Sequence, residues 1–320
     1  MREWTDRQGR SFRGELYEVD EARVKVRRES DFRVFELQLE QLSDADQKWI
    51  ADQQKPKESA EPTAAPTVPA PTPTAPSTPT DRTKIPTYNQ SDFYFDGTCG
   101  PSAIMNFLMW WGVTAYPEVL PRGNAKTQAK RTMQRLIRTC DGNNGTNPND
   151  MEMGLVEYFE RYSDNYSVDI EWRPMPSMEW LAQAATGDNL VVLQLSYYDD
   201  TDGGKRRGGH YVSLVSSEGN QAIVHTWGKI YELELRPLDI QFSARDLFIS
   251  YPDSLRKEKE LMQSALHGPY LQAYRKSLPG EDPSRTGLWN GHVGIIYNAM
   301  LAKIRPATPE EIAHRTEKYR

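Results

Sequence analysis

A proline-rich tract divides this chain into two parts that must fold separately. Eight prolines lie between residues 56 and 79, interleaved with Thr, Ala and Ser. Such a tract has too few apolar residues for a core and favours extended, polyproline-like backbone. We therefore predict a linker over 55–84, an N-terminal domain over 1–54 and a second domain over 85–252. The remaining segment, 253–320, is expected to be a helical extension.

The first domain has the pattern of a small β-barrel closed by a helix. Alternating apolar and polar residues, typical of half-exposed strands, cover 14–19, 23–28 and 32–39. A helix is predicted to start at Ser43, whose hydroxyl can cap it, with the Asp46 carboxylate in its first turn. The prediction for this domain is an antiparallel barrel.

Three segments of the first domain resemble a known module. These are Arg2 to Asp6, the strand over 23–28 and the stretch from Gln41 to Gln47. They are similar to the Sla-type homology domain, a small barrel of the Src-homology-three kind. The resemblance implies a module that binds a peptide or protein ligand.

A cysteine stands where a long apolar helix is predicted to begin. Cys99 follows Gly97-Thr98 and precedes Gly100-Pro101, and the apolar run ends near Gly112. Proline is favoured in the first helical turn and glycine at a helix end. Because the backbone N–H groups at a helix N-terminus favour negative charge, we expect a lowered pKa for the Cys99 thiol. A thiolate there would be a nucleophile.

A base for this nucleophile is expected on a later strand. Among the five histidines, His210 follows Gly208-Gly209 and opens the strand-like run from Tyr211 to Val215. Glycines before it allow close approach of a substrate, and a strand fixes the direction of the imidazole. The sequence therefore predicts a Cys99–His210 pair that is assembled in space.

Residues 85–235 resemble a peptidase family. The order of Gln90, Cys99-Gly100-Pro101, Gly209-His210 and Trp227-Gly228 is similar to that in papain-like cysteine peptidases of the bacteriocin-leader-processing, double-glycine peptidase-like type. The resemblance implies an α+β fold of two lobes, one helical and one an antiparallel sheet, with the site in the cleft between them. It also implies that Cys99 is the nucleophile, His210 the base and Gln90 an oxyanion donor.

Two positions depart from the pattern of that family. Gln90 lies nine residues before Cys99, a wider spacing than in closer relatives, so it is either the oxyanion donor after an insertion or not the donor. Where the family has Asp or Asn, this chain has His225. We hypothesise a Cys99–His210–His225 triad in which neutral His225 accepts the N–H of His210. The alternative is that His225 is an ordinary strand residue.

The second domain is predicted to be helical first and strand-rich afterwards. The predicted helices are 99–111, 125–138 and 150–161, and the predicted strands are 168–172, 189–197, 210–216, 221–226 and 230–235. Further helices are expected over 255–266 and 270–277, and a capping box of Thr308 and Glu311 is expected to start a final helix.

Composition and charge narrow the classes of partner and the cellular locations that we expect. The net charge is −6 without a long basic block, which argues against nucleic acid as the main partner. No apolar run is long enough to span a membrane. The polar N-terminus does not resemble a signal peptide, so the protein is expected in the cytoplasm, or outside it or at the envelope if a leader was removed. Neither a cofactor nor a metal site is expected.

The leading functional prediction is a thiol-dependent peptidase or amide hydrolase that acts on a peptide or protein. One alternative is a transglutaminase-like acyl transferase, which would share Cys99 and His210 and differ in its acceptor. Another is a catalytically silent papain-like scaffold tethered to a peptide-binding barrel. The second cysteine, Cys140, is expected to be structural, and both thiols are expected to be reduced.

Overall fold

The chain forms two compact units. The structure is a computed structural model that describes residues 2–19, 23–28, 34–54, 81–93, 97–140, 146–198, 206–242, 245, 247, 250–275 and 293–319. The units are Met1–Thr72 and Pro73–Arg320. The division falls within the predicted linker, of which 55–80 lies outside the described residues.

The N-terminal unit is an antiparallel sheet followed by a helix. Its elements are β1 (Arg2–Thr5), β2 (Ser11–Val19), β3 (Arg23–Arg28), β4 (Val34–Gln38) and α1 (Asp44–Gln54). The strands pair in chain order, and a small apolar core lies beneath them, formed by Trp4, Val24, Val26, Leu42 and Ile50. Antiparallel strands and a closing helix are thus confirmed, while closure of the sheet into a barrel stays a prediction.

The start of α1 forms as its capping signal predicts. The backbone N–H of Asp46 donates to Ser43 Oγ at 3.2 Å. The carboxylate of Asp46, only 2% exposed, accepts from the Ser43 hydroxyl at 3.0 Å and from the backbone N–H of Thr5 at 2.7 Å. The cap therefore also joins α1 to the first strand.

The second unit begins with three long helices, as predicted. They are α2 (Cys99–Thr114), α3 (Ala125–Thr139) and α4 (Pro148–Tyr162). Asn124 caps α3 and Asn147 caps α4 through their side-chain oxygens, which accept backbone N–H groups of the first turn. A short helix, α5 (Met178–Ala184), follows the first strand of the sheet.

A seven-stranded antiparallel sheet forms the rest of this unit, so the predicted α+β class is confirmed. Its strands are β5 (Tyr166–Pro174), β6 (Leu190–Tyr198), β7 (Arg206–Glu218), β8 (Gln221–Thr226), β9 (Lys229–Leu238), β10 (Tyr270–Arg275) and β11 (Val293–Pro306). Their order is β10-β9-β8-β7-β6-β11-β5, and β10 also pairs with β11. One apolar core lies between the helices and the sheet, and a second lies on the opposite face of the central strands.

The segment after residue 252 was wrongly predicted as a purely helical extension. It contains α6 (Asp253–Arg256) and α7 (Lys259–Ala265), but Tyr270–Arg275 is a strand, and β11 lies inside the sheet between β6 and β5. The apolar residues of β11 are buried on both faces, so they show no period-two alternation that sequence inspection could detect. The final helix, α8 (Pro309–Tyr319), begins at the predicted capping box of Thr308 and Glu311.

None of the helices in the described part of the chain has the length and apolar character that crossing a bilayer requires.

A buried arginine anchors the start of the second unit to the sheet. Arg82, which the sequence places in the linker, is 7% exposed. Its guanidinium donates to the carbonyl oxygens of Leu214 and Val215 at 2.7 Å and to that of Asn189 at 2.5 Å. Burial lowers its pKa to about 10, which leaves it charged at neutral pH. The described residues of the second unit therefore begin at 81, inside the predicted linker.

We expect Arg82→Ala to destabilise the second unit by about 3 kcal/mol or more, because several buried carbonyl oxygens would lose a charged donor. The control is Lys84→Ala in the same 3-10 turn, since Lys84 is exposed and its ion pair with Asp81 is a surface pair. That change should stay within about 0.5 kcal/mol. Urea unfolding measures both variants, and equal losses would contradict the anchoring role of Arg82.

Candidate active site

Helix α2 places the cysteine at the edge of a buried core. Every residue from Gly100 to Gly112 is buried, because the helix is apolar on nearly all sides and packs between the sheet and the other helices. Cys99 is the first helical residue and is only partly buried. Its thiol is free, as is that of Cys140, which is fully buried at the end of α3.

A buried carboxamide on α2, that of Asn106, fixes the helix to the sheet. Asn106 donates to Ser213 Oγ at 3.0 Å and accepts the backbone N–H of Tyr88 at 3.0 Å. Ser213 Oγ in turn donates to the carbonyl of Ala103 at 3.0 Å. Sequence reasoning missed Asn106, although a lone carboxamide seven residues after Cys99 in an apolar helix was a usable signal.

One small pocket is lined by three of the four predicted site residues. Its volume is about 10 Å³, roughly the space of a single water molecule. It is lined by Tyr88, Cys99, Ser102, Ala103, Asn106, His210, Tyr211, His225, Thr226 and Trp227. Cys99 and His210, far apart in the sequence, thus line the same pocket, and their reaction as a pair stays a prediction.

His210 is held by two neighbours that sequence reasoning did not assign. Its Nε2 is hydrogen-bonded to Thr226 Oγ1 at 2.6 Å. The Trp227 ring stacks on the imidazole at 4.3 Å between ring centroids. Trp227 and Gly228 form the two-residue turn between β8 and β9, with φ values of 49° and 70°. Such turns need positive φ at both central positions, so the sequence contained a signal for the turn but not for the stacking.

The predicted bond between His210 and His225 is replaced by the bond to Thr226. His225 Nδ1 instead faces the carbonyl oxygen of Pro86 at 3.4 Å. The reason is strand alternation: His225 pairs with Ser213 and shares its face of the sheet. His210 belongs to the other face, where the next residue of β8, Thr226, is its neighbour. The described bond of His210 Nε2 thus goes to Thr226, one residue after His225, and a triad role for His225 stays a hypothesis.

The predicted role of Gln90 is not tested, because the structure describes only its backbone. Its backbone lies in a 3-10 helix, Gln90–Phe93, close in the chain to the pocket residue Tyr88. Its side chain lies outside the described residues, so the oxyanion role of Gln90 stays a prediction.

Burial makes the uncharged forms of Cys99 and His210 the stable ones. Desolvation raises the pKa of the Cys99 thiol, although backbone N–H groups of Tyr211, Gly100 and Cys99 itself act in the opposite direction. Desolvation also lowers the pKa of His210 to about 3. At neutral pH the resting pair is therefore a thiol and a neutral imidazole. The expected lowering of the thiol pKa was wrong, because the loss of water outweighs the helix N-terminus.

Comparison with known proteins adds no relative: no family model, curated protein or solved structure matches this chain. Within the described residues, no three or more His, Cys, Asp or Glu side chains are grouped so that they could hold a metal ion.

The low pKa of His210 predicts a loss of stability in acid. Between pH 6.5 and about 3 the unfolded chain binds a proton at this residue and the folded chain does not. The free energy of unfolding should therefore fall as the pH falls through this window, by up to about 5 kcal/mol. His210→Gln should flatten the profile, and His314→Gln, an exposed residue of α8, should not. Parallel profiles for the native protein and His210→Gln would contradict the shift.

Proposed function

We propose that this protein is a thiol-dependent peptidase or amide hydrolase in which Cys99 is the nucleophile and His210 the base. The observation that carries the proposal is the shared pocket: a free thiol at the first residue of a buried helix faces the same cavity as an imidazole from the sheet. The ring of His210 is held on one side by Thr226 and on its face by Trp227. A nucleophile, a base and a group that orients the base are the parts that acyl transfer needs.

The proposed reaction proceeds in two steps. Cys99 Sγ bonds to the carbonyl carbon of an amide while its proton passes to His210. The C–N bond then breaks, His210 returns the proton to the leaving amine, and the acyl group remains as a thioester. In the second step His210 takes a proton from water, the resulting hydroxide equivalent attacks the thioester, and the C–S bond breaks. A carboxylic acid leaves, and the proton on His210 restores the thiol.

Backbone donors near the sulfur are suited to the charge that develops in this reaction. The N–H groups of Cys99 and Gly100 act on the sulfur in the resting state. The same groups at the start of α2 would stabilise the oxyanion of the tetrahedral intermediate. The Gln90 carboxamide is a further proposed donor.

The proposed substrate is a peptide or protein, and the proposed architecture is papain-like. An apolar helix that carries the nucleophile and packs on an antiparallel sheet that carries the base supports this assignment. In the N-terminal unit, strands β1 to β4 with α1 would close into a Sla-type barrel that binds a peptide. The tethered module would then raise the local concentration of the substrate.

A silent binding scaffold is the second candidate, and the pocket itself favours it. The raised pKa of Cys99 and the lowered pKa of His210 make proton transfer between them unfavourable in the resting state. The cavity of about 10 Å³ also holds no more than about one water molecule. For the hydrolase, a substrate or water must therefore widen and wet the pocket before attack.

Reaction with an activated ester separates the two candidates. With 4-nitrophenyl acetate, we expect the native protein to form a thioester at Cys99, visible by mass spectrometry, and to release it by hydrolysis. Cys99→Ser should lack the thioester, and His210→Gln should form it at least about tenfold more slowly. Cys140, mapped in the same digest, is the internal control because it is fully buried. Equal acylation of Cys99 with and without His210 would favour the silent scaffold.

A matched pair of substitutions tests the orienting role of Thr226. Thr226→Val removes the hydroxyl at nearly constant volume, and we expect the acylation rate to fall by about tenfold because the His210 ring loses its partner. Thr226→Ser keeps the hydroxyl and should retain most of the rate. A loss in His225→Gln, with Thr226→Val unaffected, would return the orienting role to His225.

A further inference from the structure

Among the described residues, Arg206 lacks a carboxylate partner and lies near the proposed reaction centre. Arg206, partly buried at the start of β7, donates from Nε to Ser196 Oγ at 3.2 Å. Its guanidinium folds back along the strand, so that a Cβ added at Gly209 would lie 2.8 Å from Arg206 Nη2. In the part of the chain that the structure describes, no Asp or Glu lies within ion-pair distance of Arg206.

The strand register puts this guanidinium on the face of the sheet that α2 covers. Ser196 and Gly209 are paired directly, and Tyr211 follows on the same face. The backbone N–H of Tyr211 acts on the sulfur of Cys99. Two residues of strand separate Gly209 from Tyr211, which places the guanidinium about 7 Å along the strand from the proposed nucleophile.

A buried hydroxyl at the same place has no partner among the described residues. Tyr211 is 6% exposed and lines the pocket of Cys99, and its hydroxyl makes no hydrogen bond to the described part of the chain. The hydroxyl interacts electrostatically with Cys99, Arg206 and Asp150. A buried hydroxyl left unpaired is unfavourable unless a ligand or water supplies the partner. The Arg206 guanidinium and the Tyr211 hydroxyl therefore supply a cation and an unused hydrogen-bond donor near Cys99.

One nearby charge opposes an anion at this position. Asp150, in the first turn of α4, also interacts with the Tyr211 hydroxyl. Its carboxylate is held at the helix start, where it accepts from Asn147 Nδ2 at 2.5 Å. Asp150 thus faces its own helix cap, and it should weaken the attraction of Arg206 for an anion.

We propose that Arg206 and the Tyr211 hydroxyl bind a carboxylate of the substrate, so that the enzyme prefers substrates with a negative charge about 7 Å from the reacting carbon. Arginine binds carboxylates through paired N–H donors, and the tyrosine hydroxyl adds a third. The carboxylate belongs either to an acidic side chain or to the free end of a short peptide. This inference rests on the proposed thiol chemistry and names its substrate class.

Three alkylating reagents that differ in one group test this subsite. N-iodoacetyl-glycine carries a terminal carboxylate, N-iodoacetyl-glycinamide is its neutral analogue, and N-iodoacetyl-aspartic acid with an amidated α-carboxyl carries a side-chain carboxylate. In each case Cys99 Sγ bonds to the CH2 carbon, iodide leaves, and the thiol proton passes to the solution. The rate ratio of acidic to neutral reagent at about pH 9 is measured on the full chain, with Cys99 mapped by mass spectrometry. This ratio cancels changes in the reactivity of the thiol itself.

We expect the native protein to prefer at least one acidic reagent on the order of tenfold. Arg206→Gln should abolish the preference, Tyr211→Phe should reduce it, and Asp150→Asn should increase it. Arg207→Gln is the matched control, because it removes the same charge from the exposed neighbouring residue, and it should leave the ratio unchanged. Which acidic reagent reacts faster identifies the source of the carboxylate.

Equal rates for acidic and neutral reagents, or a preference that survives in Arg206→Gln, would overturn the subsite. The neutral reagent tests the underlying chemistry separately. If its rate is the same in His210→Gln as in the native protein while the acidic preference persists, the hydrolase fails and the carboxylate subsite stands. If His210→Gln slows alkylation by the neutral reagent and neither acidic reagent is preferred, the hydrolase stands and the subsite fails.

Discussion

The second unit depends on the burial of α2 against the sheet. An apolar helix with thirteen consecutive buried residues can be stable only between two covering layers, which β7 and the neighbouring helices supply. The buried carboxamide of Asn106 is tolerated there because Ser213 and the backbone of Tyr88 satisfy it. This packing puts the first residue of the helix, Cys99, in the same pocket as His210 and also removes water from both.

Dehydration and a helix N-terminus act on the thiol in opposite directions, and in the resting structure dehydration is stronger. The pKa of Cys99 is raised and that of His210 is lowered, so the pair is uncharged. Trp227 contributes to this state, because its ring covers one face of the imidazole. The residue holds a left-handed backbone conformation that costs a non-glycine residue about 1 kcal/mol or more. Strain of this kind is often found where a structure must hold a functional group.

Much of the fold could be predicted because its signals are local. Helix starts at Ser43, Cys99 and Thr308 depend on residues within four positions of each other. The Cys99–His210 pair stays a prediction, and it could be made because each residue has a recognisable setting of its own, a helix start and a glycine-preceded strand. The bond of His210 to Thr226 was not predicted, since the face that a residue shares depends on the register between β7 and β8.

Local patterns in the chain were enough to predict two folded parts and a helical segment followed by strands, and they singled out Cys99 and His210 as candidates. The three-dimensional contacts placed β11 inside the sheet, buried Arg82 within the predicted linker and put Arg206 within electrostatic range of Tyr211. Those features depend on contacts between residues far apart in the chain, which no local pattern records. The protonation states of Cys99 and His210 also depend on the tertiary structure, because packing removes water from both groups and this shifts their pKa values.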